Sequence, residues 1–353
     1  MFEQFGFEII TPMQTSFVFA LIIGVLFGAL AQHLKFCFRS AVVGDKDAKP
    51  VARGIWFTAL GSALLGTQLL VAYDYVTFSD HRLVSQDIPI FAIVLGGLMF
   101  GIGMVCTRGC ISRLTILAGT GNLRALSVVI VFSVVAHATL KGVFAPVRVW
   151  LGSVTISLGQ TTSLAALPGG ATFWAGALSI TVFLLAYKSG INWRQAVLAL
   201  ILGILVPSAW LGTGFILQDD FDPIAMQSLS FTSPAADWLF WTIASSSIPV
   251  GFGAGLILGV VFGAAIASLS KGEFAWKTFE SPQQTKNYFF GASLMGLGGV
   301  LAGGCTIGAG LSGISTLGIA AFVALASITI GGLLAKYLSS SQRRSTLDAL
   351  GAH

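Results

Sequence analysis

The chain carries little charge, few cysteines and almost no histidine. Asp, Glu, Lys and Arg make up 9% of its 353 residues, against 55% hydrophobic residues and a mean hydropathy of +0.87. One soluble core cannot hide that much apolar surface, so lipid must be part of the solvent. The first fourteen residues hold no Lys or Arg and carry Glu3 and Glu8. That charge does not suit a cleaved signal peptide, and the first span is expected to be retained. No Gly-x4-Gly-Lys-[Ser/Thr] sequence occurs, which excludes ATP hydrolysis by a P-loop and leaves gradients as the energy source. The four cysteines, Cys37, Cys106, Cys110 and Cys305, all fall in or beside apolar segments, which argues against an extracellular disulfide framework. No His, Asp or Glu accompanies Cys106 and Cys110, and His137 stands alone in its apolar run. A closed tetrahedral metal site is therefore hard to assemble, and no cofactor is expected. A lone intramembrane His is more often a packing residue than a ligand.

What is present is length and apolarity. Runs of spanning length cover residues 16–34, 54–73, 90–105, 125–140, 171–187, 195–217, 248–269, 288–303 and 314–337. This pattern predicts an all-α integral membrane protein, a single polytopic domain over 1–353 with about nine transmembrane helices. Forty-three glycines lie mostly inside those runs, where they permit close helix contact in a bilayer. The runs ending at Val105 and Gly303 fall short of the roughly 20 residues a full crossing needs, which predicts broken or partly re-entrant segments. The stretch 142–170, rich in Ser, Thr and Gly with Pro146 and Pro168, reads as an outer loop lying along the surface.

Orientation follows from the basic residues. With the N-terminus outside, sixteen of the nineteen Lys and Arg fall in inner segments, and the loop 218–247 holds four Asp and no base. This asymmetry predicts an external N-terminus and a cytoplasmic C-terminus. Spread over short inner loops, the bases explain the pI of about 9.1 without nucleic acid as a partner; the lipid bilayer is the expected one.

Two internal matches suggest a repeat. Ala20-Leu-Ile-Ile-Gly24-Val-Leu26 resembles Ala199-Leu-Ile-Leu-Gly203-Ile-Leu205, and Gly103-Met-Val-Cys106-Thr-Arg-Gly109 matches Ala302-Gly-Gly-Cys305-Thr-Ile-Gly308, with Gly119 then opposite Gly318. Repeat one would cover about 16–141, a connector helix 171–187, and repeat two 195–337. An odd connector inverts the second half, a layout that places a site at the membrane centre.

The cysteine segments combine thiols, hydroxyls and glycines, which favours non-helical backbone at membrane depth. Such backbone must line protein or a watery path. Glycine lets N–H groups approach a ligand, and that suits an anion. A thiol adds a weak donor on a polarisable sulfur, suited to a sulfur-bearing anion. A buried membrane cysteine is ordinarily a small hydrophobe, but repetition in matched contexts selects Cys106 and Cys305. Thr107, Arg108, Gly109, Gly304, Thr306 and Gly308 join them as candidate substrate-binding residues. Cys37, beside Lys35 and Arg39, is left open on the residues alone. Cys110 falls opposite Ala309 in this register and is left out, and its replacement by Ala is expected to be mild. Two rival functions fit the same residues: a membrane sulfur transferase or redox enzyme forming a cysteine persulfide, and a small-solute channel.

Cys37 after the first span, Gly-Met-Val-Cys106-Thr-Arg-Gly and Gly-Gly-Cys305-Thr-Ile-Gly-Ala-Gly, on a glycine-rich nine-span chain, resemble the YeeE/YedE family of bacterial inner-membrane sulfur transporters, whose best-understood members import thiosulfate. The resemblance covers nearly the whole chain. It implies a non-enzymatic transporter in the bacterial inner membrane that passes thiosulfate or a related sulfur-containing anion along three cysteines, here Cys37, Cys106 and Cys305. It also implies that a small sulfur-carrier protein, if one is used, is a separate cytoplasmic partner.

Overall fold

Helix signals in the sequence set the first element. Thr11 and Gln14 form a reciprocal capping box and Pro12 occupies the first helical position, which satisfies two orphan N–H groups and pre-sets the backbone. The helix that follows, α1 (Pro12–Leu34), ends on Lys35 in a left-handed conformation, φ 51°. The computed structural model describes residues 11–79, 81–159, 161–219 and 221–351. After α1 come α2 (Phe38–Val43), α3 (Ala48–Ala72), α4 (Ile90–Cys106), α5 (Ile111–Gly119), α6 (Leu123–Leu140), α7 (Ala145–Ser153) and α8 (Gly170–Lys188). Then follow α9 (Trp193–Leu211), α10 (Ser233–Ile243), α11 (Phe252–Ser270), α12 (Pro282–Leu301) and α13 (Ile319–Gly351). Wider π-type turns extend α9 over Gly212–Ile216 and form the segment Thr306–Gly313 between α12 and α13.

Nine helical stretches among the described residues are long and apolar enough to cross a membrane, and the chain is an all-α integral membrane protein. The exposed large side chains, such as Ile22, Leu69, Phe173, Phe262 and Leu333, are apolar because the bilayer takes the place of water. Both short runs are broken as expected: after α4 and after α12, four intervening residues separate the helix from a second helical segment.

Packing is exchanged between the two halves. α1 lies against α11 as α9 lies against α3, and α4 lies against α13 as α12 lies against α6. Glycine makes the closest crossings possible. A Cβ at Gly24 would stand 2.5 Å from the Leu256 carbonyl oxygen, and one at Gly298 would stand 2.5 Å from that of Gly96. No side chain fits there, and overpacking of this kind costs about 1–3 kcal/mol.

The loops gather on two faces. One, the basic face, carries the turn at Asn122, which pairs in parallel with Lys277, and Lys336, whose Nζ donates to the Val43 carbonyl at 3.0 Å. The other, the acidic face, carries the short antiparallel pair Asp87–Ile88 with Ile156–Ser157, the Ser163–Gly318 bridge and the loop after α9.

Three elements depart from the sequence reading. The stretch 142–170 holds α7 and a strand pairing with residues 87–88 rather than a plain surface loop. α10 lies within the acidic loop 218–247, and α2 follows directly on the first span. All three are too short or too mixed in polarity to carry a spanning signal, and tertiary contact stabilises them.

Candidate functional site

Each broken span presents a cysteine at the start of its second helical piece. α4 ends at Cys106, the chain turns through Arg108 at φ 58°, and Cys110 precedes α5. α12 ends at Leu301, the chain turns through Gly303 at φ 73°, and Cys305 precedes the helical segment Thr306–Gly313. The structural register therefore sets Cys110 opposite Cys305, and Cys106 opposite Leu301. This corrects the sequence register, in which the shared Cys-Thr pair aligned Cys106 with Cys305. The Gly-Cys pairs, Gly109-Cys110 and Gly304-Cys305, were the matching signal.

Three thiols lie buried in the interior. Cys37, which caps α2, is 7% exposed, Cys110 1% and Cys305 0%. The Cys37 and Cys110 thiols are close neighbours. Cys110 Sγ also lies 3.2 Å from Ser112 Oγ and close to Thr306. Cys305 Sγ accepts from the Gly308 N–H at 3.4 Å, with the Ile307 and Phe231 backbones close by. Backbone N–H groups converging on one point, at the start of a helical segment, favour negative charge there.

Alongside runs the segment joining α9 to α10. Ser312 Oγ donates to the Leu229 carbonyl at 2.7 Å, which holds residues 228–232 against 305–312. The hydroxyls of Ser230, Thr232 and Thr306, and the Trp210 indole N–H, are buried with no hydrogen-bond partner. Buried donors without a partner are uncommon, and such groups can bond a polar guest. Ser230, Gly308, Ser312 and Trp210 also line a cavity of 540 Å³ toward the acidic face, with His81 and Arg82 higher up its wall. Burial, and the neighbouring Arg82 charge, hold the His81 imidazole down to about 4.

The expected site residues divide. Cys37, Gly304, Cys305, Thr306 and Gly308 lie at or beside the junction. Cys106 is half-buried on the last turn of α4, its Cβ only 2.8 Å from where a Cβ would stand on Gly291 of α12. Thr107 spends its hydroxyl within its own turn, with the Gly103 and Gly109 carbonyl oxygens both at 2.9 Å. Arg108 is exposed, because the left-handed turn directs it out of the fold. Gly109 closes that turn, its N–H donating to the Met104 carbonyl at 3.1 Å. Cys110, Ser230 and Thr232 were missed: the first was aligned out of register, and the others sit in a loop whose position depends on Ser312. His137 is a packing residue, stacked on Phe240 with ring centroids 3.5 Å apart.

A family described as sulphur transport matches residues 33–334 of the chain. Among curated proteins, the thiosulfate transporter TsuA of Spirochaeta thermophila is 27% identical over 339 residues, covering 88% of this chain and 95% of its own. The thiosulfate transporter TsuA of Escherichia coli is 26% identical over 365 residues, covering 94% and 98%.

Proposed function

We propose, from the premise that the chain belongs to the sulphur transport family, that it carries thiosulfate or a close sulfur-bearing anion through the buried junction of Cys305, Cys110 and Cys37. The anion comes from the acidic face, where the 540 Å³ cavity reaches Ser230 and Gly308 beside Cys305. It then moves toward the basic face past Cys110 and Cys37. With the bases facing the cytoplasm of a bacterial inner membrane, this direction is import.

The observation that carries the reading is the coincidence of buried thiols with unpartnered donors. A divalent anion entering a low-dielectric constriction loses hydration worth many kcal/mol. The orphaned hydroxyls of Ser230, Thr232 and Thr306 and the N–H groups around Cys305 supply replacement hydrogen bonds. The terminal sulfur of thiosulfate is large and polarisable and is suited to thiol contacts, whereas its oxygens are suited to hydroxyl and N–H donors. No covalent step is required. The exchanged helix packing supports an inverted arrangement of residues 16–141 and 195–337, which would place the junction at the membrane centre.

The test is uptake of isotope-labelled thiosulfate into vesicles carrying the protein, competed with sulfate and sulfite, followed by mass spectrometry of the recovered protein. Thiosulfate-selective uptake without stoichiometric sulfur on Cys110 or Cys305 is expected. A persulfide on either, formed and consumed with turnover, would establish the transferase instead.

A further inference from the structure

The two broken spans differ three residues beyond their cysteines. After Cys305 comes Gly308, whose backbone borders the open cavity on the acidic face. After Cys110 comes Arg113, on α5 and within a spanning segment. Its Nη1 donates to Gln32 Oε1 at 3.1 Å, and Gln32 Nε2 donates to Glu273 Oε2 at 3.3 Å. Gln32 is buried near the end of α1, and Glu273 is exposed in the loop after α11. Cys37, Cys110 and Glu273 are the titratable groups near Arg113. Three side chains thus form a hydrogen-bonded line from Arg113, one turn beyond Cys110, to the basic face.

A guanidinium inside a spanning segment is costly and ordinarily faces a path or a partner. Arg113 has no direct carboxylate: the ion pair among the described residues is Arg124 with Glu280, at 2.9 Å. Its contact is a neutral amide, which occupies one of the five N–H donors of an arginine.

We infer that Arg113 is a second anion-binding station, on the basic-face side of the thiol pair, where the anion's oxygens displace Gln32 from the guanidinium before release past Glu273. The inference rests on the transport reading above. The chemistry favours the exchange, because charge-assisted hydrogen bonds to a planar guanidinium are roughly twice as strong as neutral ones and accept two oxygens at once. Glu273 then has a defined effect. Held to Gln32, its carboxylate restores the resting line and repels the departing anion from the guanidinium, so that the station does not become a trap.

The experiment uses the full chain in proteoliposomes, with labelled thiosulfate uptake, and in detergent, with thiosulfate titrated against the melting temperature. Arg113→Gln is expected to slow maximal uptake at least tenfold while the thiosulfate concentration for half-maximal thermal shift stays within about threefold, because binding beside Cys305 survives. Arg113→Lys, which keeps charge but not the planar fork, should recover part of the rate. Glu273→Gln, at an exposed position, should tighten the apparent KM about threefold and slow release into an empty lumen. Wild-type rates in Arg113→Gln overturn the inference, as does loss of thermal shift together with uptake, which would assign Arg113 to the first site. Should Arg113→Gln fail to fold, an unchanged KM and release rate in Glu273→Gln overturn it. Absence of uptake by the wild-type protein would instead refute the transport reading itself.

Discussion

The two broken spans share one backbone device and furnish it differently. On the acidic-face side, Cys305 stands among neutral donors: the Gly308 N–H at 3.4 Å, the orphaned hydroxyls of Thr306, Thr232 and Ser230, and an open cavity. On the basic-face side, Cys110 stands beside Cys37, with Arg113 leading through Gln32 to Glu273. Neutral donors hold an arriving anion by hydrogen bonds worth about 1.5–3 kcal/mol each, without the added attraction of a full opposite charge. A cation adds charge–charge attraction and needs a competitor to let go. In the proposed transport, this difference would give direction to a fold whose halves otherwise pack alike.

The largest effect tests which cysteines form the pair. Replacing Cys305 or Cys110 by Ala is expected to reduce thiosulfate uptake at least a hundredfold, while Cys106→Ala, with its side chain against α12, stays within about threefold in the same vesicle assay. A severe Cys106→Ala with a mild Cys110→Ala would break the comparison, since it would restore the sequence register.

A smaller effect sharpens the neutral side. Thr306→Val and Thr232→Val each remove a buried hydroxyl with no partner while keeping its shape. Each should raise KM about ten- to a hundredfold, the worth of one hydrogen bond to a charged guest at about 1.5–3 kcal/mol. Neither should lower the melting temperature, because an unsatisfied buried group is being removed. Destabilised variants with normal KM would show that these hydroxyls serve the fold.

The smallest effect concerns His81, on the cavity wall. Its folded pKa, about 4, lies below the ordinary value near 6.5, so the unfolded chain binds the proton first as pH falls. Its contribution to stability is present above about pH 6.5 and is lost as pH drops toward 4. Melting temperature should fall through that window, less steeply in His81→Gln, while uptake near neutrality should owe nothing to a histidinium. Equal slopes in both proteins would remove His81 from the account.

Much of this was legible from residue types. The apolar runs gave the class and the number of spans, because no other solvent accommodates them, and sixteen-residue runs announced the breaks at Val105 and Gly303. Legibility stopped at register. Cys106-Thr107 and Cys305-Thr306 are the stronger match by letter, yet the left-handed turns at Arg108 and Gly303 set Gly109-Cys110 opposite Gly304-Cys305. Arg108 looked like the site's cation because it is adjacent in sequence, whereas Arg113 stands by the thiols because α5 turns it there.

The sequence by itself determined that this chain lives in lipid and breaks two of its helices around cysteine and glycine. Those properties follow from local composition, from apolar length and from the backbone freedom that glycine confers. Only the tertiary structure decided which thiols meet, that Ser230 and Thr232 join them, and that Gln32 of α1 connects Arg113 of α5 to Glu273. Each of these contacts spans dozens of residues or more and is set by how helices from opposite halves cross, which no local propensity encodes.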